Sequence, residues 1–161
     1  SQTLNIESPK ICLERSNRLL FQSTSPEKFA TVFYAILDSQ KNNLFSSNAG
    51  QDHPFLISTD KKIQRLKAGG IPLGMLGDFT YEEESTPLEP GDTLVIYSEG
   101  VTEAMNKNGE LFGEERLASV LADSHHDAPE AIIERIVAAI KEYAGTTPQS
   151  DDVTIVVVKR Q

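Results

Sequence analysis

The chain has 161 residues, which suits one domain spanning 1–161 and is long enough to bury a real core. Hydrophobic residues make up 39% and charged ones 24%, near the globular average, and no apolar run approaches bilayer-crossing length, which excludes a transmembrane helix. The formal charge of −9, from 24 acids against 15 bases, argues against a nucleic-acid partner, because that affinity comes from Lys and Arg neutralising phosphates. The plain reading of the acidity is solubility, and the sharper one is that some acids form a cation site.

Ser1-Gln2-Thr3-Leu4-Asn5 shows no basic leader followed by an apolar segment, and the absence of a starting Met reads as a piece of something longer. Cys12 is the lone cysteine, which rules out an internal disulfide and a thiolate-rich metal site and points to a cytoplasmic setting. Pro9 to Leu20 reads as a helix, with Ser8 as its cap and Ile11, Cys12, Leu19 and Leu20 on one face. Phe29 to Leu37 is β-branched and aromatic and reads as a buried strand, followed by a turn at 39–43 and a return strand at 44–48. Phe55-Leu56-Ile57 and Lys62 to Leu66 form a second short hairpin, closed by Thr59-Asp60-Lys61. Phe79 to Ser85 reads as an edge strand, and Pro87 to Asp92 as a turn feeding the strand Thr93 to Tyr97. Helices are expected over Glu114 to Ala122 and Ala128 to Tyr143. The β-branched run Val153 to Val158 reads as a central strand. Strands with short connections, then two helices before a last strand, give an α+β class with a largely antiparallel sheet.

Glu99 follows one strong strand and Asp151-Asp152 precedes another. If these strands are antiparallel neighbours, the carboxylates converge at one edge of the sheet. Converging carboxylates repel unless a cation lies between them, and an all-oxygen cluster suits Mg²⁺ or Mn²⁺. The plainer alternative is that all three are turn and cap residues. Other candidates are weaker. Gly69-Gly70 and Gly74 lack the Lys-Ser/Thr of a phosphate loop. Ser98 lacks a nucleophile-elbow context. His125-His126 reads as a solvated loop, and Arg15 and Arg18 as helix-surface charge.

Five segments, in order, carry a resemblance: FATVFYAILD (29–38), NAGQDHPFL (48–56), GGIPLGML (69–76), LEPGDTLVIYSEGVTEAMNKNGELFGEERL (88–117) and SDDVTIVVVK (150–159). The chain resembles the later part of a PPM-type metal-dependent protein phosphatase domain of the bacterial SpoIIE-like branch. That resemblance implies an antiparallel β-sandwich flanked by helices, in four αββα layers, with a two-metal Mn²⁺ or Mg²⁺ site at one end. It implies hydrolysis of phosphoserine or phosphothreonine on a regulatory protein, such as a phosphorylated anti-sigma-factor antagonist. By position it makes Glu99 and Asp151 metal ligands and Asp152 a neighbour that binds through water or supports the strand start. Asn48, Gly50 and Gly100 fall in loops of the site.

The sequence also departs from the family pattern. Glu99 stands where the family has Asp, and Gln51 where it often has His, with His53 two positions on. The opening Asp-bearing segments of the family have no match in Ser1 to Lys28. The expectation is therefore a domain incomplete at its N-terminal side, with little turnover by itself and self-association through an exposed sheet edge. The alternative expectation is a degenerate, non-catalytic module that binds a partner protein in signalling.

Overall fold

The structure, a computed structural model, describes residues 8–25 and 27–161, so the leader reading of Ser1 to Asn5 lies outside the described residues. The elements in chain order are α1 (Pro9–Ser23), β1 (Val32–Asp38), β2 (Asn43–Ala49), β3 (Phe55–Ile57), β4 (Ile63–Arg65), β5 (Gly69–Gly70), β6 (Glu84–Pro87), β7 (Thr93–Tyr97), α2 (Glu99–Thr102), α3 (Gly113–Leu121), α4 (Pro129–Ala144) and β8 (Ile155–Lys159). They divide into two compact units, one reaching to Gln51 and including Leu66–Pro87, the other Asp52–Arg65 with Leu88–Gln161.

In the first unit β1 and β2 form an antiparallel hairpin, with Val32 opposite Ala49 and Asp38 opposite Asn43. The Asp38 carboxylate closes its turn by accepting from the Gln40 and Lys41 amides, and Asn42 takes a φ of 48°. β2 also pairs antiparallel with β6 and, through Asn48 and Ala49, parallel with β5. β1 thus pairs with β2 alone among the described strands, and the expectation of a buried strand from Phe29 is corrected. The strand begins at Val32, and Phe29 is 60% exposed. The expected strand over Phe79 to Ser85 shrinks to Glu84–Pro87. Phe79 and Tyr81 instead turn inward edge to face, 5.0 Å apart, and the Tyr81 hydroxyl donates to the Ile71 carbonyl.

Helix α1 forms where expected but buries another face: Pro9, Leu13 and Asn17, spaced four apart, are buried, while Leu19 is 65% exposed. Asn17 explains the difference. Its amide donates to the Leu76 and Gly77 carbonyls and accepts from the Gly74 amide, so one buried polar side chain satisfies three backbone groups. An apolar count ignores such a residue. Ser8 does not cap the helix with its side chain; its hydroxyl donates to Glu83, whose carboxylate also accepts from the Lys10 amide. Leu13, Ala49, Leu73 and Tyr81 form this unit's core.

The second unit is an antiparallel sheet in the order β4-β3-β7-β8. Phe55, Ile57, Val95 and Tyr97 share a core with Leu117 and Leu121 of α3 and Ile132, Ile136 and Ile140 of α4. The α4 isoleucines recur every four residues, which lays one stripe of the helix on the sheet. β8 is an edge strand in this sheet, which corrects the central placement expected for it. Ile155 and Val157 pack on the core, but Val156 and Val158 on the other face are 46% and 42% exposed. A β-branched run reports a surface that packs well, and it says nothing about how many neighbours the strand has. His125 is also corrected. It is buried, with its ring 4.0 Å from that of His126, and the Lys159 ammonium ties this loop by donating to the His125 and Asp127 carbonyls.

Candidate active site

The chemistry-bearing end of the second unit is set by one register. Tyr97 at the end of β7 lies opposite Ile155 at the start of β8, so the segment after one strand meets the segment before the other. Ser98 joins them. Its amide donates to the Thr154 carbonyl, and its hydroxyl donates to the Asp152 carbonyl and accepts from the Thr154 amide, each at 3.0 Å. The chain then turns at once into α2, with Glu99 in its first turn.

Gly100 makes this approach possible. A Cβ there would stand 2.3 Å from the Asp152 carbonyl oxygen and 3.1 Å from that of Asp151, so only glycine fits. Glu99, Asp151 and Asp152 are all exposed beside this junction. Asp151 accepts from the Asp152 amide through Oδ1 at 2.7 Å, and its carbonyl accepts from the Gln149 side chain.

Asn48 and Gly50 are placed within the first unit. Asn48 is buried and closes the 48–51 turn in both directions: its amide group donates to the Gln51 carbonyl, and its oxygen accepts from the Gln51 amide. Gly50 has φ +76°, and a Cβ there would run into Pro72 at 2.5 Å. The Gln51 side-chain oxygen accepts from the Thr31 hydroxyl at 2.9 Å.

Four residues that the sequence reading did not single out belong to the Glu99 end: Asp52, Arg65, Thr102 and Glu114. The Thr102 hydroxyl on α2 lies 3.4 Å from the Asp52 carboxylate and 3.3 Å from the Glu99 carbonyl, which holds Asp52 near the start of α2. Burial raises the proton affinity of Asp52, and the charges of Glu99 and then Glu114 raise it further, against the Thr102 hydroxyl and Arg65. Arg65 grips the Glu114 carboxylate through both terminal nitrogens. Burial also pushes the Tyr97 hydroxyl well above the usual phenol range, with Arg65 opposing and Glu114 and Asp52 reinforcing. Asp52 had a legible signal: it lies just before β3, whose first residue, Phe55, pairs with Val95 two residues before the end of β7. The Arg65–Glu114 pair had none, because it joins two distant stretches through folding alone.

The carboxylates are the donors that a hard divalent cation takes. Their number falls short, since among the described residues no three His, Cys, Asp or Glu side chains are grouped so as to hold a metal ion.

Comparison with known proteins fixes the family. Residues 2–161 match the family model for Stage II sporulation protein E (SpoIIE). The chain belongs to this family. It is 32% identical over 132 residues to Protein IcfG of Synechocystis, covering 82% of this chain and 21% of that protein. It is 35% identical over 104 residues to the phosphoserine phosphatase RsbU of Bacillus subtilis, covering 64% of this chain and 31% of that protein. The chain thus spans a third or less of these curated relatives. Among solved structures, the SiaA-PP2C domain of Pseudomonas aeruginosa superposes with a TM-score of 0.84 at 24% identity, over 96% of this chain and 61% of that one. The phosphatase domain of Bacillus subtilis SpoIIE gives 0.71 at 21% identity, over 98% and 67%. These likenesses show the α+β fold of PPM phosphatases.

Proposed function

We propose that residues 1–161 are part of one SpoIIE-like phosphatase domain that removes phosphate from serine or threonine of a regulatory protein, such as an anti-sigma-factor antagonist. The observation that carries this reading is the β7–β8 register, which brings Glu99 and Asp151-Asp152 to one corner in a chain of the SpoIIE family. Glu99 and Asp151 would hold Mn²⁺ or Mg²⁺ there, with Asp152 fixing the strand start and further donors coming from outside the described residues. A divalent cation so held supplies an activated water and neutralises phosphoryl charge. Gly100 and Ser98 set the distance between the two acidic strand ends, while Asn48 and Gly50 shape their own loop.

The test is phosphate release from a phosphoserine protein by a longer protein carrying this chain, with Mn²⁺. Asp151→Asn is expected to abolish it. Release that is undiminished by the substitution sinks the assignment of Asp151.

A second reading, a non-catalytic module that binds a partner protein, is favoured by the shortage of grouped donors among the described residues. It is supported if that longer protein releases no phosphate with either metal while still binding its partner.

For the chain by itself we propose self-association along β8. An antiparallel copy centred on Val157 sets Val156 against the copy's Val158, and the acidic start of each strand near Arg160 of the other. Light scattering that shows a monomer at high concentration overturns this.

A further inference from the structure

Arg65, Phe55, Tyr97 and Ile155 lie at one end of the second unit's sheet, set there by the pairings Phe55–Arg65, Phe55–Val95 and Tyr97–Ile155. The Arg65 guanidinium makes four kinds of contact at this end. It takes both carboxylate oxygens of Glu114 in the first turn of α3. It reaches the His53 carbonyl at 3.5 Å and the Tyr97 hydroxyl at 3.4 Å. It also lies over the Phe55 ring, 5.1 Å from its centre. The Tyr97 hydroxyl donates to the same His53 carbonyl at 3.3 Å. The His53–Pro54 peptide, one residue on from Asp52, is therefore gripped from two sides, and on α2 the Thr102 hydroxyl donates to the Asp52 carboxylate.

We infer that Arg65 is a positioning residue for the acidic end of this sheet. Its fork fixes the 52–54 segment and the start of α3, and so sets where Asp52 stands relative to Glu99. Charge supports the same role. Asp52 feels Glu99 and Glu114 as like charges, and Arg65 is the cation that acts against them. A guanidinium suits this place because it is planar and presents several donors in fixed directions, whereas an ammonium is a point charge that cannot reach two carboxylate oxygens, a carbonyl and a phenol together. The catalytic consequence of this role rests on the phosphatase reading above; the positional claim does not.

The experiment compares the unsubstituted 161-residue chain with Arg65→Lys and Arg65→Met by carbon-detected NMR. The readouts are the Asp52 and Glu99 carboxyl carbons and the His53 carbonyl carbon, with the Leu94 to Ile96 amides as a fold control. Both variants are expected to shift all three carbons and leave the control amides in place. Resonances restored by Lys would make the role one of charge alone, and resonances restored by Met would make it packing of the stem on Phe55; either result overturns the inference. In the longer protein the same variants are expected to lower kcat by about a hundredfold with KM unchanged, the scale of a misplacement of about 1 Å near the chemistry. An unchanged kcat overturns the catalytic consequence of the role. If the unsubstituted protein releases no phosphate, the phosphatase reading falls and the NMR comparison still decides the positional role.

Discussion

Replacing Gly100 with Ala tests the corner that joins β7 to β8. The new methyl would stand 2.3 Å from the Asp152 carbonyl oxygen, 2.8 Å from its carbon and 3.1 Å from the Asp151 oxygen. A carbon–oxygen contact needs about 3.3 Å or more, so one segment must move by about 1 Å. No rotamer can relieve the clash, because backbone lies on both sides and Ser98 ties the segments together through three hydrogen bonds. Overpacking of this kind costs about 1–3 kcal/mol, while the loss of glycine's freedom in the unfolded chain returns about 0.4–1 kcal/mol. At the middle of each range the net loss is about 1 kcal/mol, which for a chain of this size lowers Tm by about 2–4 °C. Thermal unfolding followed by circular dichroism measures this, and amide shifts should concentrate at Asp151 to Thr154. A variant that melts at or above the unsubstituted chain would refute the close approach and, with it, the convergence of Glu99 and Asp151-Asp152.

Three further outcomes follow from the same geometry. Asp52 holds its proton more tightly in the folded chain than in the unfolded one, so its stabilising contribution is full below the ordinary carboxylate pKa and is lost as pH rises through the raised folded value. Asp52→Asn should therefore raise Tm at pH 7 in the presence of a chelator, with the gain shrinking toward pH 4; a gain that does not change with pH contradicts the environment described. Ile136 is wholly buried between α4 and the sheet, so Ile136→Ala should cost about 2–5 kcal/mol in denaturant titration, and a loss under 1 kcal/mol would mean that the helix is not seated there. Val158→Lys puts a charge on the exposed face of the edge strand and should shift any self-associated chain toward monomer at unchanged Tm, as light scattering would show.

Much of the second unit was legible because its signals are local. The TLVIY and β-branched strands, the isoleucine stripe of α4 and the short 55–66 hairpin all repeat at the period of the element they form. Their antiparallel neighbours then placed Glu99 beside Asp151-Asp152. What was not legible depends on partners far away in sequence. Asn17 is buried because three backbone groups of the 74–77 loop need it, and Glu83 takes the capping role that Ser8 promised. β8 has the composition of a central strand and the position of an edge one, since strand order is a property of the sheet and not of the strand. Arg65 looked like any basic residue in a hairpin until folding set Glu114, Tyr97 and His53 around it.

The acidic corner has a property that bears on both functional readings. Its geometry is held by groups that carry no charge: the Ser98 hydroxyl, the Asp152 carbonyl, the Thr154 peptide and the absent side chain of Gly100. Asp151 adds one local bond through Oδ1, and Asp152 is anchored by its backbone. The backbone and the Ser98 hydroxyl thus bring the two acidic strand ends together, and the desolvation and repulsion that oppose this are small because Glu99, Asp151 and Asp152 are exposed. On the phosphatase reading this corner would supply part of a divalent cation's ligands, and on the module reading it persists as a scaffold without one. The longer glutamate side chain at position 99 matters in the first case, where ligand geometry is exacting, and little in the second. Replacing Glu99 with Asp therefore separates the two readings more directly than removing either carboxylate, because it leaves the corner, its charge and its fold in place and changes only the reach of one carboxylate.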